Sequence, residues 1–460
     1  MSALWTSSTA MAAVGGISRG AAWEASGVSI DTRTLEPGDL FVALHDRRDG
    51  HDFVADAFRK GAAAALVSRV PEGVGRDASL LICDEVQTGL ERLAAVSRSR
   101  TVAKVIAVTG SAGKTSTKEM LRHVLGRQGR THASEASFNN HWGVPLTLAR
   151  MPPGSEFAVI EIGMNRPGEI VPLARMARPH VAIVTTVASA HLEAFSGIEE
   201  IAIEKGSVFQ GLEPGGVAIF NADVETAPIL EAEARLHAAR QVGFGEGVQA
   251  LLRAERVTLT AEASVVEGRF EHGSFHLKIG APGRHLAMNA MSAIGAASLA
   301  GADLDVAVRD IGSWTVPKGR GRRETILLGP VDNIGILLID DAFNANPASM
   351  EAAMEVLAAS EPAAATAGAA GGRRIAILGD MLELGAGEAL LHSELAGHFA
   401  MERIDRVICV GQRVRALHDV LAGEPRSSWF ETAEELAATV RKHLTPGDVV
   451  LVKGSKGSKV

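Results

Sequence analysis

Two glycines, a lysine, a threonine and a serine stand close together in Val105–Ser116, which reads V-I-A-V-T-G-S-A-G-K-T-S. That spacing can hold a phosphate. Gly110 and Gly113 let the backbone turn tightly through Ser111 and Ala112 and present bare N–H groups to an anion. The helix opened by Lys114, Thr115 and Ser116 aims its free N–H groups and positive dipole end at the same place. Lys114 adds a mobile positive charge, and Thr115 a hydroxyl able to hold Mg²⁺. Val108 stands where the common G-x-x-x-x-G-K-[ST] pattern has its first glycine.

Further polar residues fall where an open α/β sheet binds its ligands, beyond the carboxyl ends of strands. Glu161 ends F-A-V-I-E and is either a hard oxygen ligand for Mg²⁺ or a solvated carboxylate. His191, in S-A-H-L-E, follows V-A-I-V-T-T-V on the same rim and is read as either a structural or a ligand-side histidine. Lys205 shares a helical stripe with Ile201, Val208 and Leu212. A charge on an inward face needs a partner. The lysine either snorkels or, carbamylated by CO₂, becomes an anionic oxygen ligand. Asn289 either caps its helix or reads an adenine edge. In P-K-G-R-G-R-R-E (Pro317–Glu324) Arg320 belongs to an exposed basic hinge or reaches nucleotide phosphates. In I-D-D-A-F-N-A-N-P, Asp341 suits a ribose hydroxyl, and Asn344 and Asn346 a base or substrate, ahead of a helix starting at Pro347. G-D-M-L-E-L-G (Gly379–Gly385) sits at the next strand end.

The elements that must position these residues divide the chain by pattern. Residues 1–103 mix short strands and helices, with a strand at Leu40–Leu44, a helix over Asp52–Gly61 and a buried run at Ala62–Val67. Residues 104–316 alternate apolar strands with helices, the signature of a largely parallel sheet. The strands are Val105–Val108, Phe157–Ile162, Val181–Val187 and Gly216–Phe220. Leu251–Leu259, Ala263–Phe270 and Ser274–Ile279 read as a short antiparallel meander, and Lys205 lies on a helix over Ile198–Leu212. Residues 317–460 form a second doubly wound unit, with strands at Ile334–Ile339, Arg374–Leu378, Arg406–Val410 and Val449–Val452. The Ala/Gly-rich stretch Glu361–Gly372 reads as a flexible loop inside it.

At 460 residues the chain suggests roughly three domains. A 46% hydrophobic, 22% charged composition is that of an ordinary globular protein. The net charge of −8 argues against non-specific binding to nucleic acid or anionic membrane. Cys83 and Cys409 lie in apolar runs and read as buried thiols, making neither a metal site nor a disulfide framework. No Lys or Arg precedes Arg19, and no apolar run has membrane-spanning length, so the expectation is a cytoplasmic protein; a monomer is expected separately.

As a set, T-G-S-A-G-K-T-S, E-I-G-M-N-R-P-G-E-I, H-L-E, E-K-G and D-D-A-F-N-A-N-P resemble the Mur ligases. Within that family the likeness is to the branch that adds D-alanyl-D-alanine to UDP-N-acetylmuramoyl-tripeptide. D-T-R-T-L-E-P-G-D-L-F-V-A-L, D-G-H-D-F and S-F-N-N-H-W-G-V-P-L-T-L resemble it too. The resemblance covers nearly the whole chain. It implies an α/β fold of three domains: a UDP-substrate domain, a central ATPase domain and a Rossmann-like C-terminal domain. It implies ATP and Mg²⁺, and an amide bond made through an acyl phosphate. It also implies roles for residues. Thr115, Glu161 and His191 match metal-site positions, and Lys205 a carbamylated lysine that supports Mg²⁺. Asn289 and Asp341 match ATP contacts, and Thr32 and Arg33 a grip on the UDP-sugar. Asn139 and Asn140 lie near the acceptor peptide and the γ-phosphate. Phe343 stands where the branch usually has Tyr, and the family generally continues past G-S-K-G-S-K-V. The alternatives are the Mur-type branch that adds diaminopimelate or lysine, whose D-N-P-R is absent, a folylpolyglutamate-type ligase, similar in the ATPase loop, a nucleotide switch, whose N-K-x-D is absent, and a non-ligating nucleotide-binding module.

Overall fold

The computed structural model describes residues 3–271, 273–329, 335–364, 371–423 and 426–460. Its strands form three large sheets and one two-stranded ribbon, and the candidate residues gather at the carboxyl ends of the second and third sheets.

The first sheet has five strands in the order Ile17–Arg19, Leu80–Ile82, Ala64–Val67, Asp39–Val42 and Gly27–Ser29, antiparallel only at the first pair. Asp39–Val42 and Ala64–Val67 are buried along their whole length, as strands covered on both faces must be. The stretch over Asp52–Gly61 begins as a 3₁₀ turn, Gly50–Phe53, before the helix Val54–Arg59. The helix Gly143–Ala149 joins this region to the next. Leu146 and Ala149 lie in the same apolar core as Trp5, Leu90 and Leu93, and the Trp5 indole donates to the Ala149 carbonyl at 2.9 Å.

The second sheet has nine strands: Gly273–Ile279, Ser264–Phe270, Leu252–Leu259, Arg240–Gly245, Val217–Asn221, Val181–Val184, Lys104–Thr109, Phe157–Glu161 and Thr131–Ala133. The antiparallel meander therefore extends the parallel sheet, through a short parallel pairing of Phe244 with Leu252 and Gly245 with Arg253. Lys104–Thr109 lies between Phe157–Glu161 and Val181–Val184, so the phosphate loop, Glu161 and the run leading to His191 leave one sheet edge together. The helix Lys114–Leu125 buries Met120, Leu121, Val124 and Leu125 against that sheet, fixing the direction of its N-terminus. The helix of Lys205 is shorter than its sequence pattern suggests. It is α-helical over Ile198–Gly206 and tightens to 3₁₀ over Ser207–Gly211.

The third sheet runs Arg322–Ile326, Ile336–Asp341, Val449–Lys453, Arg374–Gly379, Arg406–Val410 and Ser427–Phe430, parallel except at the first strand. Arg322–Ile326 corrects the reading of Pro317–Glu324 as wholly hinge. Only its first part is turn, and the rest pairs with Ile336–Asp341. Most of the Ala/Gly-rich stretch, residues 365–370, lies outside the described residues. Cys409 is buried, but Cys83 is only half-buried, at the end of a strand where its thiol reaches the Glu85 carbonyl. No described helix is long and apolar enough to cross a membrane.

Candidate active site

A cavity of about 460 Å³ opens between the second and third sheets, with the loop Ser111–Ser116 as its floor. Both loop glycines are required by geometry. Gly110 has φ +147°, and a Cβ there would collide with the Thr185 hydroxyl. Gly113 has φ +81°, and a Cβ would come within 2.5 Å of the Asn289 amide oxygen. Asn289 is thus buried directly beneath the loop. Gly113 caps the Lys114 helix without any side-chain bond, so the first helical N–H groups face the cavity. The loop is tied down from outside. The Thr185 hydroxyl donates to the Ala112 carbonyl at 2.6 Å, and Ser111 Oγ donates to the Ala188 carbonyl and accepts from the Ala188 N–H.

At the back of the cavity Thr115 Oγ1 donates to the Glu161 carboxylate at 3.1–3.2 Å, and Asn139 Nδ2 donates to the same carboxylate at 2.7 Å. Glu161 is almost fully buried. Arg320 arrives from the start of the third region. Its Nη2 donates to Thr115 Oγ1 at 3.0 Å, and its guanidinium lies over the Phe343 ring at 4.0 Å. Phe343 therefore supplies the flat face on which Arg320 rests, for which a ring hydroxyl is unnecessary. Opposite, Asn346 caps the helix Pro347–Ala359 through its amide oxygen and donates Nδ2 to the Ser111 carbonyl at 3.2 Å. Asp341 accepts from the Lys453 ammonium at 2.7 Å, and that ammonium also holds the Asn344 carbonyl at 3.0 Å.

Lys114 lines this cavity and donates Nζ to the Gly110 carbonyl at 2.7 Å. Burial pushes its ammonium pKa down, and Glu161 partly offsets that. Lys205 is 1% exposed and lines no described cavity. Among the described residues its ammonium has neither a hydrogen bond nor an ion pair. Burial, and then repulsion from Lys114, hold its pKa well below the ordinary lysine value.

His191 stands at one side, on a second cavity of about 240 Å³ that shares Ser111, Lys114, Asn344 and Asn346 with the first. Its Nδ1 is 2.6 Å from Glu383 Oε2. Both residues have left-handed backbones, φ +58° and +66°. Positive φ is uncommon for non-glycine residues, and here both partners of one contact between regions adopt it.

Not every expected residue converges. Thr32 and Arg33 border neither cavity. Thr32 is buried and its carbonyl accepts from Lys60 Nζ, while Arg33 is exposed and pairs with Asp31 at 2.6 Å. Asn140 faces away too, its amide oxygen accepting from the N–H groups of Trp142 and Gly143. Contributors that escaped the sequence reading include Lys118, Ser137 and Lys453, beside Thr185 and Glu383. Lys118 follows Thr115 by one helical turn, which was the available signal. The others are placed by pairings distant in sequence.

Among the described residues no three His, Cys, Asp or Glu side chains converge as a metal cage. The Thr115 hydroxyl and Glu161 carboxylate are nevertheless a donor set suited to Mg²⁺. That ion prefers one or two carboxylates, with water and substrate phosphates completing its shell.

Residues 108–297 match the family model of the Mur ligase middle domain, and residues 326–456 that of the Mur ligase, glutamate ligase domain. The chain is 33% identical to the UDP-N-acetylmuramoyl-tripeptide–D-alanyl-D-alanine ligase of Bacillus subtilis, over 94% of this chain and 91% of the relative. It is 35% identical to the Escherichia coli enzyme of the same name, again over 94% and 91%. The crystal structure of MurF from Acinetobacter baumannii superposes with a TM-score of 0.84 at 29% identity, covering 99% of this chain and 96% of that one. MurF ligase from Thermotoga maritima, in complex with ADP, superposes at 0.77 and 25% identity, covering 94% and 95%. With likeness on both sides of the cavity that Ser111–Ser116 floors and along nearly the whole chain, this protein belongs to the Mur ligase family and is an ATP-dependent ligase.

Proposed function

We propose that the chain joins D-alanyl-D-alanine to the tripeptide carboxylate of UDP-N-acetylmuramoyl-tripeptide in the cytoplasm, a step of peptidoglycan precursor synthesis, and acts as a monomer. In this reading residues 1–103 hold the UDP-sugar through Thr32 and Arg33, 104–316 bind ATP, and 317–460 present the dipeptide. The observation that carries it is the meeting of Lys114, Thr115, Glu161 and Arg320 at one helix N-terminus, beside a second polar cavity that shares Lys114.

ATP lies over Ser111–Ser116, with Asn289 and Asp341 toward its nucleoside end and Asn344 on the third-region wall. The helix N–H groups and Lys114 face its phosphates. A tripeptide carboxylate oxygen attacks the γ-phosphorus, the bond to the β-phosphate oxygen breaks, and ADP leaves. The acyl phosphate is an electrophile that the bare carboxylate was not. The dipeptide amine attacks its carbonyl carbon and loses a proton, and phosphate departs from the tetrahedral intermediate. Arg320, with five fixed donors, suits the transferring phosphoryl group once it leaves Thr115. Asn139, on Glu161, borders the acceptor side, while Asn140 supports it from the turn behind. Asn346 keeps the dipeptide side against Ser111.

Thr115 and Glu161 would hold Mg²⁺, with His191 approaching from the adjoining cavity, and the ion would neutralise phosphate charge. Lys205 supports that site as a carbamate. Its depressed pKa favours the neutral amine, which adds to CO₂ and releases a proton to give an N-carboxylate. The N-carboxylate then places a negative charge beside the Lys114 ammonium.

The experiment is phosphate release together with mass spectrometry of the product. ATP, UDP-tripeptide and D-alanyl-D-alanine together should give the UDP-pentapeptide, and omission of any one should abolish it. ATP hydrolysis without a new amide, or use of a single amino acid in place of the dipeptide, would overturn the assignment.

A further inference from the structure

Lys118 is a lysine with no solvent exposure, one turn beyond Thr115 on the phosphate helix. Its ammonium donates to the Ser134 carbonyl at 2.8 Å and to the Ala136 carbonyl at 2.8 Å, and it pairs with Glu119 at 2.8 Å. All three of its donors are therefore engaged. It also stands 3.8 Å from the Glu161 carboxylate.

The two carbonyls belong to a short segment that the cavity depends on. Ser134 accepts the Glu161 N–H on its hydroxyl at 3.0 Å and donates its own N–H to the Val159 carbonyl. Ala136 has φ +45°, a left-handed backbone that a Cβ disfavours, and its side chain is exposed, so packing does not impose it. Ser137 and Asn139 follow directly and line the cavity. Phe138, between them, packs into the apolar core of the first region. Without a partner for its carbonyl, Ala136 would relax toward an ordinary conformation and turn Asn139 away from Glu161 and Ser137 away from Arg320.

We propose that Lys118 is a positioning residue, which locks the strained segment 134–136 to the phosphate helix and so sets Asn139 against Glu161 and Ser137 beside Arg320. The role rests on the ligase reading. It links the helix that holds the nucleotide to the segment that borders the acceptor. Removing it leaves Lys114 and the helix N-terminus in place, so nucleotide binding persists while alignment of the reacting groups is lost.

The test is steady-state ligation by Lys118→Met, with turnover normalised to folded protein by circular dichroism. The expectation is a fall in kcat of about 10- to 100-fold with KM for ATP within about threefold. A second substitution reads the strain itself. Ala136→Gly alone should leave turnover near wild type, and in the Lys118→Met background it should restore at least part of kcat, because glycine adopts φ +45° freely. If Lys118→Met does not fold, Ala136→Val carries the test, since its side chain faces solvent and a β-branched residue resists this φ. It should show the same low kcat and preserved KM. Wild-type kcat in Lys118→Met, absence of rescue by Ala136→Gly, or full activity of Ala136→Val would overturn the role of Lys118. A wild-type protein that forms no amide would overturn the ligase reading instead.

Discussion

Phosphoryl transfer to a carboxylate gathers negative charge around Lys114, the nearest mobile cation on the loop. Lys114→Ala should lower kcat by about 10²- to 10³-fold, the cost of removing one donor aimed at developing charge. The fold should persist, because the side chain ends in the cavity and not in the core; thermal unfolding beside turnover checks both halves. Lys205 poses a different question, since an unpaired ammonium in that position would repel Mg²⁺. Lys205→Ala should be nearly inactive and partly restored by formate or acetate, which can occupy the vacated space as a carboxylate. Lys205→Arg should remain inactive, because guanidinium has no acceptor and does not form the carbamate. Full activity of Lys205→Arg would return this residue to a packing role. These residues were legible in the sequence because their chemistry is local: glycines that must turn, a lysine and hydroxyl at fixed offsets, a charge on an apolar stripe. Lys118 was not. Its offset from Thr115 marked it only as a polar residue in a polar helical turn, and its meaning comes from carbonyls contributed by another segment.

Elements separate two adjacent asparagines. Asn139 points at Glu161, whereas the Asn140 amide oxygen caps the turn that opens Gly143–Ala149. Asn140→Ala should therefore cost about 1 kcal/mol of stability in a denaturant titration, as the loss of a capping side chain does. Asn139→Ala should instead reduce turnover with little change in stability. Equal effects of both on turnover alone would place Asn140 on the substrate after all. Element order and strand positions were largely readable from apolar runs. The edge strand Arg322–Ile326 was not, since R-R-E-T-I is polar and its pairing with Ile336–Asp341 is fixed by tertiary contact. The same holds for the short Phe244–Leu252 pairing that turns a separate-looking meander into a continuation of the parallel sheet.

At the scale of the whole molecule, the polar contacts between the second and third regions among the described residues are Arg320 on Thr115, Asn346 on Ser111 and His191 on Glu383, and further Arg320 on Ser137 and Arg323 on the Ala261 carbonyl. The first two engage groups of the phosphate loop itself. The third is a part-exposed pair, of a kind that contributes about 0–1 kcal/mol. Ligands that bridge the two regions would add to this set, and closure on binding is the expected consequence. ATP and UDP-tripeptide together should reduce the radius of gyration measured by small-angle scattering, and Glu383→Ala should weaken that response. An unchanged radius at saturation would contradict closure as a required step.

The central claim is that the tripeptide carboxylate is phosphorylated before the amide forms. The oxygen that attacks the γ-phosphorus must then leave with phosphate. UDP-tripeptide labelled with ¹⁸O in its terminal carboxylate, incubated with ATP and D-alanyl-D-alanine, should release phosphate carrying one ¹⁸O atom from that carboxylate for each amide bond made. Amide formation with unlabelled phosphate would mean that no acyl phosphate lies on the path, and would contradict the account.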